Sequence, residues 1–184
     1  MTGAPHSERR TFFQQAHFVP DIAEGVERWV RAVGAGPFFL APHHRCDWFV
    51  YRGRPIEADV SYAFGYAGDM QIQLIEQHDS TPSIYLDMFE PGVGGFHHVG
   101  LLVDDFDDER DRLVDEGYMP ACELRANGAR ASYFDTRRAI GCFTEIHDTP
   151  EQILSTFETW RAAHRDWDGH SEPLRDRPEP TPPG

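Results

Sequence analysis

Positive charge is scarce in this chain. Lys and Arg number 17 against 31 Asp and Glu, a formal net charge of −14, and such a surface repels nucleic-acid phosphates and anionic membrane. Neither is therefore an expected partner. Long apolar runs are also missing. No stretch reaches the roughly 18 to 20 apolar residues that cross a bilayer, and MTGAPHSERR at the N-terminus carries no apolar segment after its charges. A cytoplasmic location is the expectation. Cysteine is rare: Cys46, Cys122 and Cys142 are odd in number and lack CxxC spacing. They read as reduced packing residues rather than a disulfide framework or a cysteine zinc site.

The 184 residues suffice for one domain with a sizeable core, and the chain has an internal repeat. Phe12 to Val19 is strand-like, and Asp21 with Glu24 three residues on forms a capping box that opens a helix. Ile22, Val26, Trp29, Val30 and Val33 put one apolar face on that helix, which Gly34 ends. The same grammar returns at His98 to Val103, Asp104-Asp105, and a helix bearing Phe106, Leu113 and Val114 that stops at Gly117. Placing Asp21 on Asp105 gives an offset of 84 residues, which also sets Gln14 on His98 and Val19 on Val103.

Each copy continues with β-type segments. The first has Trp48 to Tyr51, Ala58 to Tyr66 and Met70 to Ile75; the second has Ala121 to Leu124, Arg130 to Phe134 and Cys142 to Ile146, with Asn127-Gly128 as a hairpin turn. Pro82 and the Pro91 to Gly95 cluster separate the copies. Thr149-Pro150-Glu151-Gln152 starts a last helix with Ile153, Phe157 and Trp160 on one face, expected to pack as an appendage over 149–167. Residues 168–184, ending SEPLRDRPEPTPPG, hold too few apolar groups to offset chain entropy and read as a mobile tail.

The motifs GGFHHVGLLVDDFD and CFTEIHD, opening and closing the second copy, together with QIQLIEQ in the first, resemble the vicinal-oxygen-chelate superfamily of glyoxalases, bleomycin-resistance proteins and extradiol dioxygenases. QIQLIEQ and GFHHVG are most similar to its methylmalonyl-CoA epimerase members. The resemblance implies an α+β fold in which two βαβββ modules, about 10–78 and 94–148, form one domain around a shared cup. It also implies that the first and last strands of each module supply the metal ligands. Carried onto this chain, these positions are Gln14, Gln73, His98 and Glu145, with glutamine at Gln14 where the family pattern has histidine. Two amide oxygens, one imidazole and one carboxylate suit Mn²⁺, Co²⁺ or Mg²⁺ better than tight Zn²⁺. Pairing of two chains into a homodimer is a further implication.

Glu145 in an apolar strand is the residue hardest to explain without a cation or a proton to hold. Strand alternation turns His17 away from Gln14, toward the helices, and turns His97 away from the cup. Glu57, before VSYAFGYA, matches the strand that carries a second proton-transfer carboxylate in the epimerases, so Glu145 and Glu57 are the expected catalytic pair. His43, His44, Arg45, Arg52 and Arg54 form a basic stretch that reads either as an anchor for an anionic substrate tail or as ordinary surface charge. Two functions remain open. One is a metal-assisted epimerase, isomerase or lyase working through an enolate-type intermediate on a small oxygenated substrate such as a CoA thioester. The other is a metal-free small-molecule binding protein of the bleomycin-resistance type, which the aromatics Phe38, Phe39, Trp48, Phe49 and Tyr51 favour.

Overall fold

The computed structural model describes residues 10–177. Along these the elements are β1 (Arg10–Phe18), α1 (Ile22–Val33), β2 (Phe38–Ala41), β3 (Trp48–Tyr51), β4 (Arg54–Pro55), β5 (Val60–Ala67), β6 (Met70–Gln77), β7 (Gly95–Val103), α2 (Phe106–Asp115), β8 (Pro120–Ala126), β9 (Ala129–Phe134), α3 (Arg137–Ile140), β10 (Phe143–His147), α4 (Glu151–Arg165) and β11 (Leu174–Asp176). The helices start where the sequence places them: Asp21 Oδ1 accepts from the Glu24 N–H at 2.8 Å, and Asp105 Oδ1 from the Asp108 N–H at 3.0 Å. None of the helices among these residues is long and apolar enough to cross a membrane.

All eleven strands join one sheet in the order β11-β2-β5-β6-β1-β7-β10-β9-β8-β3-β4. Its two halves are the two βαβββ units, joined where β1 runs antiparallel to β7. In each half the first strand is parallel to the last, with Gln14 opposite Gln71 and His98 opposite Phe143. Gln73 and Glu145, each two residues on, therefore occupy equivalent places. Leu74 and Ile72 pack under α1, and Phe134 and Ile146 pack with Phe106 and Leu113 of α2. The opposite faces share a single core of Ala16, Tyr62, Ile75, Tyr133 and Phe143. Residues of both halves meet there, so the sheet wraps round into a cup. The linker between the halves enters the same core through Ile84 and Tyr85, both fully buried.

Three features differ from the sequence reading. Phe38–Ala41, not read as a strand, is the strand beside β5. Trp48–Tyr51, read as part of the first copy, crosses to the far edge and pairs with β8 of the second. Alternation specifies which face a strand buries but not which edge it joins. Third, α4 is no appendage: Phe157 stacks on Phe13 at 5.4 Å, and Trp160 stacks on Phe39 at 5.7 Å and Phe64 at 5.1 Å, so the helix lies across the cup. His164 fixes its end, its Nδ1–H donating to the Gly36 carbonyl while Nε2 accepts from the Gly68 N–H. Of the expected tail, Leu174–Asp176 pairs with Phe38–Leu40 as β11; 178–184 lie outside the described residues.

Candidate functional site

Two β-bulges set up the site. Between β1 and β7 the register slips at Phe12/Gln14 and again at Ala16/His17. The first slip leaves Phe13 as an extra residue in β1 and the second leaves His97 as an extra residue in β7, at positions related by the same 84-residue offset. A bulge turns two consecutive side chains to one face, so Phe13 and Gln14 both point inward, and so do His97 and His98. The sequence reading, which turned His97 outward by strict alternation, is corrected on this point. His97 is fully buried and stacks on Phe143 at 5.1 Å. His17 does lie on the helix side, its ring 4.6 Å from Trp29. Burial, with the nearby charge of His98, lowers its pKa to about 4.

Inside the cup stand Gln14, Gln73, His98 and Glu145, each at most 5% exposed. Gln14, Gln73 and Glu145 line one cavity of about 90 Å³, and His98 Nε2 is 3.3 Å from Glu145 Oε2. That pair is close enough to attract but is not aligned as a hydrogen bond. Among the described residues, eight buried polar side-chain atoms lack a hydrogen-bond partner, and four of them are Gln14 Oε1, Gln73 Oε1, His98 Nε2 and Glu145 Oε2. Burying such an atom unpaired is costly; four at one place, all lone-pair donors, are what a divalent cation requires. The residues fit the metal that the family pattern implies. Gly100 is required here because an added Cβ would lie 2.8 Å from the Phe13 ring and 3.1 Å from Glu145 Oε2.

Each first-strand donor is oriented by a buried relay. Gln71 Nε2 donates to the Tyr66 hydroxyl at 3.2 Å, so Gln71 Oε1 accepts from Gln14 Nε2 at 2.6 Å and Gln14 Oε1 is left facing the cup. On the other side the Ile84 carbonyl can only accept, so His97 Nε2 carries the proton across 3.1 Å. Burial, followed by the charge of His98, holds the His97 pKa well below its ordinary value. His97 is thus neutral, and its bare Nδ1 accepts from His98 Nδ1–H at 2.8 Å. With its Nδ1–H given to His97, the His98 ring turns its Nε2 toward Glu145 and the glutamines. Burial alone would raise the Glu145 carboxyl; positive charge on His98, whose Nε2 lies 3.3 Å away, and on His147, with the Tyr133 hydroxyl at 2.8 Å, outweighs it and brings the pKa below the ordinary value. A buried, ionised carboxylate results.

A paired titration tests these assignments. His97→Phe keeps an aromatic ring against Phe143 but removes the acceptor that fixes His98, and Mn²⁺ affinity measured by calorimetry should fall about 10- to 100-fold. His17→Phe should leave Mn²⁺ affinity unchanged, since it only replaces an unpartnered Nε2 on the helix side. Loss of binding in the second variant alone would mean that β1 presents its other face.

Glu57 is not part of this arrangement. It is exposed on the loop before β5 and lines a separate surface depression with His43 and Asp59. The side chains that do line the cavity beside Glu145 include His44 and His147. Burial, then the charge of Arg177, lowers the His44 pKa, so its ring is neutral near pH 7. Sequence reasoning placed His44 in a basic stretch read either as an anchor for an anionic substrate tail or as surface charge; its position beside β2, an unread strand, hid its inward face. His43, Asp59 and His78 also cluster with ligand-type atoms within 4.8 Å of one another. Hydrogen bonds account for that cluster: His43 Nδ1 meets Asp59 Oδ1 at 2.7 Å, and His78 Nε2 meets Ser61 Oγ at 2.7 Å. Cys46, Cys122 and Cys142 are free.

A duplicated βαβββ sheet closing a cup, with one pair of the inward polar side chains from each half, is the architecture of the vicinal-oxygen-chelate class. The family model described as the Glyoxalase/Bleomycin resistance protein/Dioxygenase superfamily matches residues 13–134, and the chain belongs to that superfamily. No curated protein matches the sequence. Among solved structures it is similar to methylmalonyl-CoA epimerase from Mycobacterium tuberculosis, at 17% identity and a TM-score of 0.57 over 78% of this chain and 91% of that one. A hypothetical protein from Bacillus halodurans C-125 matches at 19% identity and a TM-score of 0.56 over 78% and 96%. A methylmalonyl-CoA epimerase in complex with methylmalonyl-CoA and NH4+ matches at 17% and 0.55, again over 78% and 96%. At these identities the likeness is one of fold.

Proposed function

We propose that this protein is a metal-assisted enzyme of the epimerase, isomerase or lyase type, moving a proton at a carbon next to a carbonyl through an enolate-type intermediate. The observation that carries the reading is the convergence of four unpartnered buried donors, Gln14 Oε1, Gln73 Oε1, His98 Nε2 and Glu145 Oε2. These four would hold a divalent cation, with Mn²⁺, Co²⁺ or Mg²⁺ suited to so oxygen-rich a set. A cation bound there supplies positive charge to stabilise negative charge developing on a substrate oxygen.

The rest belongs to the chain. Glu145 is a buried, ionised carboxylate able to accept a proton from carbon, and Tyr133 holds its other oxygen in place. His44 is a neutral imidazole on the cavity wall, suited to take or return a proton on another side of the ligand. Tyr62, Phe64 and Phe157 wall the space. In similar epimerase structures whose ligands are named, the molecule held is an acyl-CoA, methylmalonyl-CoA or 2-nitronate-propionyl-CoA. Both suit chemistry at an acidified carbon.

The aromatic walls and the neutral glutamines also favour a cup that only binds. Deuterium uptake from D₂O separates the two, because tight ground-state binding lowers no barrier. Incubated with 2-substituted acids, ketones and thioesters, then quenched and weighed by mass spectrometry, the Mn²⁺-loaded protein should exchange one C–H of its ligand. A ligand that binds at micromolar affinity without metal-dependent exchange would establish the binding function instead.

A further inference from the structure

The roof of the cup comes from a part of the chain that the family match does not reach. The match ends at residue 134, whereas Ile153, Phe157, Trp160 and Arg177 all line the cavity. About a fifth of this chain has no counterpart in the similar epimerases, which are themselves covered over 91–96% of their length. The enclosed space is correspondingly small. About 90 Å³ is less than the ~150 Å³ that takes a benzene ring and far below the ~300–1,000 Å³ of sites for larger ligands. A thioester with a long pantetheine arm would need a way out through the region that Phe157 and Trp160 fill.

Arg177 adds a charge to this roof. The chain contains no lysine, so all 17 of its basic side chains are guanidinium groups. Several half-buried arginines have carboxylate partners: Arg10 and Arg112 meet Glu109, Arg130 meets Asp148, and Arg137 meets Asp135, at 2.6 to 3.2 Å. Arg177, half-buried with its guanidinium 5.5 Å from the Trp160 ring, has no such partner among the described residues. Its backbone N–H donates to the Leu40 carbonyl at 3.0 Å, which ties it to the end of β2. Burial lowers its pKa, and no anion offsets the shift, although a guanidinium remains charged throughout the working range. A desolvated cation facing a cavity whose opposite wall holds Glu145 and the amide oxygens is placed to take an anion delivered by a ligand.

We infer that Arg177, held by β11 and by Trp160 of α4, is an anion subsite that selects a small free carboxylic acid for this cup in place of a CoA thioester. The carboxylate pairs with Arg177 under the roof while the oxygens next to the reacting carbon face Gln14, Gln73, His98 and Glu145. This deepens the proposed metal-assisted function and rests on it for the second anchoring point only.

The test uses the full chain loaded with Mn²⁺ and titrated calorimetrically with lactate, pyruvate and methylmalonate, with lactamide and pyruvamide as neutral counterparts, and with methylmalonyl-CoA. At least one acid should bind about tenfold or more tightly than its amide, as loss of a charge-assisted pair predicts, and more tightly than the thioester. Arg177→Gln should abolish that preference without altering Mn²⁺ affinity, and Arg177→Lys should restore part of it. Tighter binding of methylmalonyl-CoA, no binding by any acid at 10 mM, or an unchanged acid preference in Arg177→Gln would each overturn the subsite. Failure to bind Mn²⁺ with the acid preference intact would instead remove the metal and leave the subsite standing.

Discussion

Glu145→Gln is expected to lower Mn²⁺ affinity by about a hundredfold or more and to reduce metal-dependent deuterium exchange by roughly 10²- to 10⁴-fold. The substitution is nearly isosteric, and its effect is therefore electronic. Glu145 is the only formally charged donor among the four; Gln14 and Gln73 offer neutral amide oxygens and His98 a neutral nitrogen. Replacing the carboxylate leaves an all-neutral set, and ion–dipole contacts do not repay the dehydration of a divalent cation as a charge does. The same change removes the proton acceptor. The fold should survive, since the Tyr133 hydroxyl can still donate to the remaining amide oxygen and a buried charge has been removed rather than added. A thermal midpoint within a few degrees of the parent would confirm that binding, not folding, was lost. Undiminished Mn²⁺ affinity would place the metal elsewhere, and the His43, Asp59 and His78 cluster would be the next residues to substitute.

The duplicated architecture was legible because its signals are local. Asp21 and Asp105 cap helices by hydrogen bonds spanning three residues, and the apolar faces of α1 and of the strands after it repeat with fixed periods. From that repeat came the equivalence of Gln14 with His98, and from the family likeness that of Gln73 with Glu145. What could not be read depends on partners distant in sequence. The edge joined by Trp48–Tyr51 is decided by β8, some seventy residues away. The inward turn of His97 depends on a register slip between β1 and β7, invisible to alternation within GFHHVG. Glu57 looked like a catalytic acid because it precedes a strand that points into the cup, but its own position on an exposed loop depends on how the β3–β4 hairpin leaves the first half to pair with the second. His44, Tyr133 and Arg177 carried no sequence signal beyond residue type; only the closing of the sheet brings them to one cavity.

Trp160→Ala should destabilise the protein by about 3 to 5 kcal/mol, the range for removing a large buried aromatic, and lower the thermal midpoint by roughly 6 to 20 °C for a domain of this size. Trp160 is 2% exposed, stacks on Phe39 of β2 and on Phe64 of β5, and lies tilted at 5.8 Å against Phe157 one turn away. Its removal leaves a void between α4 and the first half of the sheet. Because Arg177 also rests against this ring, the variant should loosen the roof as a unit, and amide hydrogen exchange should accelerate across α4 more than across β1 or β7, where the core does not depend on it. An appended helix would behave differently, with a loss below about 1 kcal/mol, as for a surface substitution, and no change in the cup. The same variant also tests the roof's effect on ligand size: with the indole gone, the cavity gains the volume of a bicyclic ring, and discrimination against methylmalonyl-CoA should weaken while Mn²⁺ affinity, set by residues on β1, β6, β7 and β10, stays as it was. Stability and selectivity thus fall together in Trp160→Ala because one aromatic cluster both holds α4 on the sheet and closes the space above Glu145.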